Sequence, residues 1–102
     1  MSASIAIQIL PKVETDEAVC RIVDEVIAYI QSTGLNYQVG AFETAIEGES
    51  IDTLMDIAVE CMKIAVRSGA PKASAYIKAV YRPDGEILTI EQKTGKYRED
   101  IQ

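Results

Sequence analysis

A chain of 102 residues with 48% hydrophobic and 25% charged residues has the size and balance of one domain, outside the ranges of disordered or fibrous sequences. Sixteen acidic against ten basic residues leave a net charge of −6, which opposes binding to nucleic acid or to an anionic membrane surface and suits a cationic ligand. Histidine is absent, so the commonest general base and the commonest metal ligand are both missing, and the longest apolar run, Val26 to Ile30, is far shorter than the ~20 residues that cross a bilayer.

Residues Ala3 to Leu10 alternate, with Ile5, Ile7 and Ile9 on one side and Ser4, Ala6 and Gln8 on the other. That two-residue period predicts a strand with one face in a core, closed by Pro11. Thr15 or Asp16 can cap the next segment, where Val19, Ile22, Val23, Val26, Ile27 and Ile30 recur at steps of three and four, so a helix is expected up to Gly34. A strand then begins at Asn36, Tyr37 and Val39. Past the Gly40-Ala41 step, Phe42, Thr44 and Ile46 alternate with Glu43, Ala45 and Glu47, which gives two strands or one long bent strand.

Ser50 caps a second predicted helix with Ile51, Leu54, Ala58, Cys61 and Ala65 on one stripe, ending near Gly69. After Gly69-Ala70-Pro71 comes a strand from Ala73 to Tyr81, then a turn at Arg82-Pro83-Asp84-Gly85 and a final hairpin strand from Glu86 to Glu91. A polar tail fills residues 93–102. Cys20 and Cys61 fall within the two helices, and with no secretory signal both are expected to be buried thiols of a cytoplasmic protein.

Strand, helix, strand, strand, helix, strand is the order of a ferredoxin-like βαββαβ sandwich. This α+β fold is expected to span residues 1–102 as a single domain, with a C-terminal strand appended. Right-handed crossovers place both helices on one face of an antiparallel sheet. Tyr76, Val80, Leu88 and Ile90 are then available to the open face, and a homo-oligomer formed by sheet packing or strand addition would cover it.

No phosphate-binding loop, dinucleotide fingerprint, paired-cysteine metal motif or nucleophile elbow is present, which removes most enzyme classes. Arg21, Arg67, Arg82 and Arg98 lack the loop context of an acylphosphatase-like cradle, and an RNA-reading sheet would want a basic face with central aromatics. The unusual segment runs from Tyr37 to Glu49 and places Glu43 and Glu47 on the same side of one strand. The pair either faces water at a sheet edge or meets a cation. Lys93, Lys96 and Arg98 surround Tyr97, but Glu86, Glu91, Glu99 and Asp100 dilute them, so that tail reads as solvated or subunit-bridging.

Tyr37, Val39 and Gly40, then Thr44, Glu47 and Gly48, then Ile90, Glu91, Lys93, Lys96, Tyr97 and Arg98 together resemble the thiamine-binding protein family over nearly the full chain. The resemblance implies a ferredoxin-like subunit that assembles as dimers or tetramers. It implies binding of thiamine or its hydroxymethylpyrimidine half near subunit interfaces, without turnover; the missing histidines and motifs lead us to expect no cofactor and no metal. Such a ligand needs a carboxylate, an aromatic face and directional hydrogen-bond partners. The candidates are Glu47 or Glu43 for the amine or the cation, Thr44 as a hydroxyl partner, Tyr37 or Tyr76 for stacking, and Gly40 for close approach. Tyr37 and Tyr76 also serve as ordinary strand packing. The competing expectation is a homo-oligomeric protein-interaction domain without a small-molecule ligand.

Overall fold

The computed structural model describes residues 1–101, with side chains described for residues 1–98. Its elements are β1 (Ala3–Pro11), α1 (Asp16–Ser32), β2 (Asn36–Val39), β3 (Thr44–Gly48), α2 (Ile51–Arg67), β4 (Ala73–Tyr81) and α3 (Ile90–Thr94), followed by a 3-10 stretch (Gly95–Ile101). The four strands form one antiparallel sheet in the order β2-β3-β1-β4, the ferredoxin-like arrangement.

Alternation along β1 decides which face is the core. Ile5, Ile7 and Ile9 turn towards the two long helices, where they meet Ile22, Val26 and Ile30 of α1 and Leu54, Ile57, Ala58, Cys61 and Ala65 of α2. Burying each large aliphatic side chain in this layer contributes about 1.5–3 kcal/mol. Both helices begin where a hydroxyl can replace a missing carbonyl: Thr15 accepts from the Ala18 N–H at 3.1 Å and Ser50 from the Thr53 N–H at 3.1 Å. The first ends before Gly34, whose φ of 76° lies in the left-handed region open to glycine.

Three expectations change. The segment from Glu86 to Glu91 is no strand, because after the turn the Ile87 N–H donates to the carbonyl of Met1 rather than joining a ladder with β4. Thr89 then caps a helix: its hydroxyl accepts from the Gln92 N–H at 3.0 Å and the Gln92 side chain accepts from the Thr89 N–H at 2.8 Å. This reciprocal capping box satisfies two orphan donors and overrides the β preference of Ile87, Leu88 and Ile90. The expected polar tail is correspondingly helical over residues 93–101. Gln102, and the side chains of Glu99 and Asp100 in that tail, lie outside the described residues.

The second correction concerns the thiols. Cys61 is fully buried, and burial together with the neighbouring Glu60 charge pushes its pKa up to about 11, whereas Cys20 lies on the flank of α1 and is exposed. Cys20 falls between the apolar positions Val19 and Ile22 in sequence, but the helical period sets it at the edge of the stripe, beside Val23 and Ile27, rather than at its centre. Both cysteines are free. The third concerns Phe42, which is in the turn between β2 and β3 and is 79% exposed instead of sharing the buried side of Thr44 and Ile46.

Candidate ligand-binding site

The face of the sheet opposite α1 and α2 carries a hollow whose shape follows from the strand register. Gln38 of β2 pairs with Ala45 of β3, Ala45 with Ala6 of β1, and Ala6 with Lys78 of β4. These residues form one cross-strand row on the open face, about 14 Å from first to last at the usual strand spacing. Its two middle members are alanines, so the centre is low while the ends are long polar side chains. The row below is Asn36, Glu47, Ser4 and Val80.

α3 supplies a wall. Ile90 is 5% exposed yet stands apart from the main core cluster, because it is buried against the opposite face of the sheet. Glu47 holds it there. One carboxylate oxygen accepts from the Ile90 backbone N–H at 2.7 Å and the other from the Asn36 side-chain amide at 2.6 Å. A charge-assisted bond at the first residue of a helix is among the stronger available to a carboxylate. One turn later, the Thr94 hydroxyl bonds Gln38 Oε1 at 3.1 Å and the Ile90 carbonyl at 2.8 Å. The C-terminal segment is thereby fastened across β2 and β3 and leaves β4 uncovered.

Between α3 and β4 lies a cavity of about 440 Å³, lined by Ser4, Ala6, Ala45 and Ala79 below, Ile90, Lys93 and Thr94 on one side, and Gln38, Gly40, Glu43, Lys78 and Val80 around the rim. That volume is in the range of small-molecule sites, and its apolar floor with a few polar groups at the rim is their usual composition. Lys78 Nζ lies 3.0 Å from Glu43 Oε1. Glu43 owes its position to the preceding turn, in which the Gly40 N–H donates to the Glu43 carbonyl at 2.8 Å. A Cβ at Gly40 would lie 2.8 Å from that same carbonyl oxygen, so the turn requires glycine.

The residues expected from the sequence are divided between the two faces. Gly40 and Glu43 line the groove. Glu47 is on the same face but 2% exposed, with both oxygens engaged, and it supports α3. Tyr76 pairs with Gln8 on the open face, two residues along β4 from Lys78, and is 67% exposed. Thr44 and Tyr37 are on the helix side: Thr44 pairs with Ile7 and Tyr37 packs against the core. Alternation with Ala45 and Glu47 along β3 puts Thr44 there, and pairing with the buried Ile46 puts Tyr37 there.

Nothing local in the sequence marks Ser4, Gln38, Lys78 or Thr94 as site residues, and Lys93 belongs to the expected polar tail. The available signal was the small-residue pair Ala6 and Ala45 at outward positions of two strands. A second opening of about 310 Å³ lies beneath α1, between Val19, Val23 and Ile27 of the helix, Ile7 and Ile9 of β1, and the turn from Gly40 to Thr44. Its walls are mainly aliphatic, and it shares Gly40 and Glu43 with the groove.

Comparison with known proteins agrees with this architecture. A UPF0045 protein of Clostridium perfringens is 39% identical over 97 residues, covering 95% of this chain and 98% of that protein. A domain of unknown function from Bacillus cereus superposes with a TM-score of 0.84 at 33% identity, covering 98% of this chain and 93% of that one. A Thermotoga maritima protein described as a candidate for thiamine biosynthesis or salvage superposes with a TM-score of 0.80 at 30% identity, covering 96% and 100%. The family model described as thiamine-binding protein matches residues 5–98, so the chain belongs to the thiamine-binding protein family.

Proposed function

We propose that this chain binds thiamine or its hydroxymethylpyrimidine half in the open-face groove, without turnover, as a cytoplasmic carrier, buffer or sensor. The observation that carries the reading is the groove itself. An alanine floor wide enough for a flat heterocycle is ringed by Glu43, Gln38, Ser4 and Thr94, a set with a carboxylate for a cation or an exocyclic amine and neutral partners for ring nitrogens. Membership of a family described by binding supports the same ligand class. Isothermal titration with thiamine and with hydroxymethylpyrimidine tests it. Saturable binding to at least one is expected, weakened about tenfold in Glu43→Gln, the loss of one charge-assisted hydrogen bond. No heat from either ligand with folded protein would remove the reading in favour of an interaction domain without a ligand.

The binding form is a homo-oligomer in this reading. Among the described residues β4 pairs only with β1, so every second residue of this nine-residue strand leaves its backbone groups unpaired on the outer edge, and Tyr76, Ile77, Val80 and Tyr81 along it are exposed. Long apolar edges invite strand addition, and a second copy of the same strand is the simplest occupant. Sedimentation equilibrium is expected to give a dimer or tetramer, reduced towards monomer by Ile77→Lys. A monomer at ~100 μM wild-type protein, a concentration at which even a micromolar self-association would be nearly complete, would refute the assembly.

A further inference from the structure

The side chains that line the groove carry more positive than negative charge, although the chain as a whole is acidic and the Glu47 carboxylate lies beside them on the same face, buried with both oxygens engaged. Lys78 and Lys93 both line the groove, while Glu43 is the one carboxylate among its lining residues. Glu43 is already engaged by Lys78 at 3.0 Å, and among the described residues Lys93 takes part in no ion pair. A ligand that is only a cation must compete with Lys78 for Glu43, and its success leaves two ammonium groups beside a third positive charge. The resulting like-charge contacts at short range are unfavourable. A ligand that carries its own anion resolves the conflict, since its ring takes Glu43 while its anionic end takes the displaced Lys78 together with Lys93.

Resting on the ligand class proposed above, we infer that the groove selects the phosphate monoester of its heterocyclic ligand over the unphosphorylated compound, with Lys78 and Lys93 as the phosphate clamp. The two lysines come from opposite walls, Lys78 from β4 and Lys93 from α3. A flexible, doubly charged phosphate can accept from both, and lysine is an ordinary point-charge partner for it. The arrangement makes Lys93 a specificity residue and gives α3 a purpose beyond covering Glu47.

The test is titration of the full chain with thiamine and thiamine monophosphate, and in parallel with hydroxymethylpyrimidine and its monophosphate, at low and high salt. The monophosphate is expected to bind about tenfold or more tightly than its parent, with the preference shrinking at high salt and falling towards unity in Lys93→Gln and in Lys78→Gln. The ratio is the readout, so a general loss of stability does not imitate the effect, and circular dichroism confirms folding of each variant. Equal or weaker binding of both monophosphates overturns the phosphate inference and leaves the ligand class standing. A preference that persists in the double variant Lys78→Gln/Lys93→Gln overturns the clamp. Binding of none of the four compounds removes the ligand class and the inference with it.

Discussion

Replacing Ala6 with leucine is expected to lower the affinity for thiamine or hydroxymethylpyrimidine by about a hundredfold or more, close to 2.7 kcal/mol, with the fold intact. Ala6 lies on the central strand, between Ala45 and Lys78, at the floor of the groove. A branched side chain there occupies the space the ring would take. The core lies on the other face of the sheet, so the substitution does not disturb the isoleucine layer, and the stability change should stay within about 1 kcal/mol. Ala45→Leu, one strand away, should behave the same way. Titration calorimetry with a thermal melt of each variant makes the comparison. Wild-type affinity in both variants would move the ligand to the opening beneath α1, a distinction that Glu43→Gln alone cannot make because Glu43 borders both spaces.

Glu47→Ala should be the most destabilising single change on the open face. It strands the buried Ile90 N–H and removes the acceptor of the Asn36 amide. A buried donor left without a partner costs about 2 kcal/mol, which for a domain of this size lowers the melting temperature by roughly 10 °C. α3 loses its anchor at the same time, so trypsin should cut after Lys93 and Lys96 faster than in the wild type. Glu47→Gln is expected to do less on both counts: its carbonyl still accepts from Ile90, and the Asn36 amide can turn to present oxygen. Unchanged melting and unchanged proteolysis in Glu47→Ala would show that α3 is held by Ile90 packing and the Thr94 to Gln38 bond instead. Loss of binding in Glu47→Ala therefore has to be read beside its stability before Glu47 is given a direct contact with ligand.

The division between the two faces explains why some site residues were readable in the sequence and others were not. Glu43 and Gly40 stood out because a glycine turn and two alternating acids are local features. The same alternation that put Glu43 and Glu47 together on one side also sent Thr44 to the other, and Tyr37 followed it through the β2–β3 register. Lys78 is 35 residues from Glu43 in sequence and meets it only because β4 and β3 flank β1. Ile90 and Thr94 belong to an expected strand and its tail; the capping residues Thr89 and Gln92 stand in the sequence, but a run of β-branched and aliphatic residues obscures them.

The amino-acid sequence by itself determined the helix stripes of α1 and α2, the period-two pattern of β1, the caps at Thr15 and Ser50 and the ferredoxin-like order, because each depends on neighbours within a few residues. Tertiary structure alone decided what the open face became. Whether the chain after β4 extends the sheet or crosses it depends on the Met1 carbonyl and the Glu47 carboxylate, both far away in sequence. The groove exists because alanines from two strands fall in one cross-strand row while Lys78, Glu43 and α3 rise around them, and register between distant segments is not written in either segment alone.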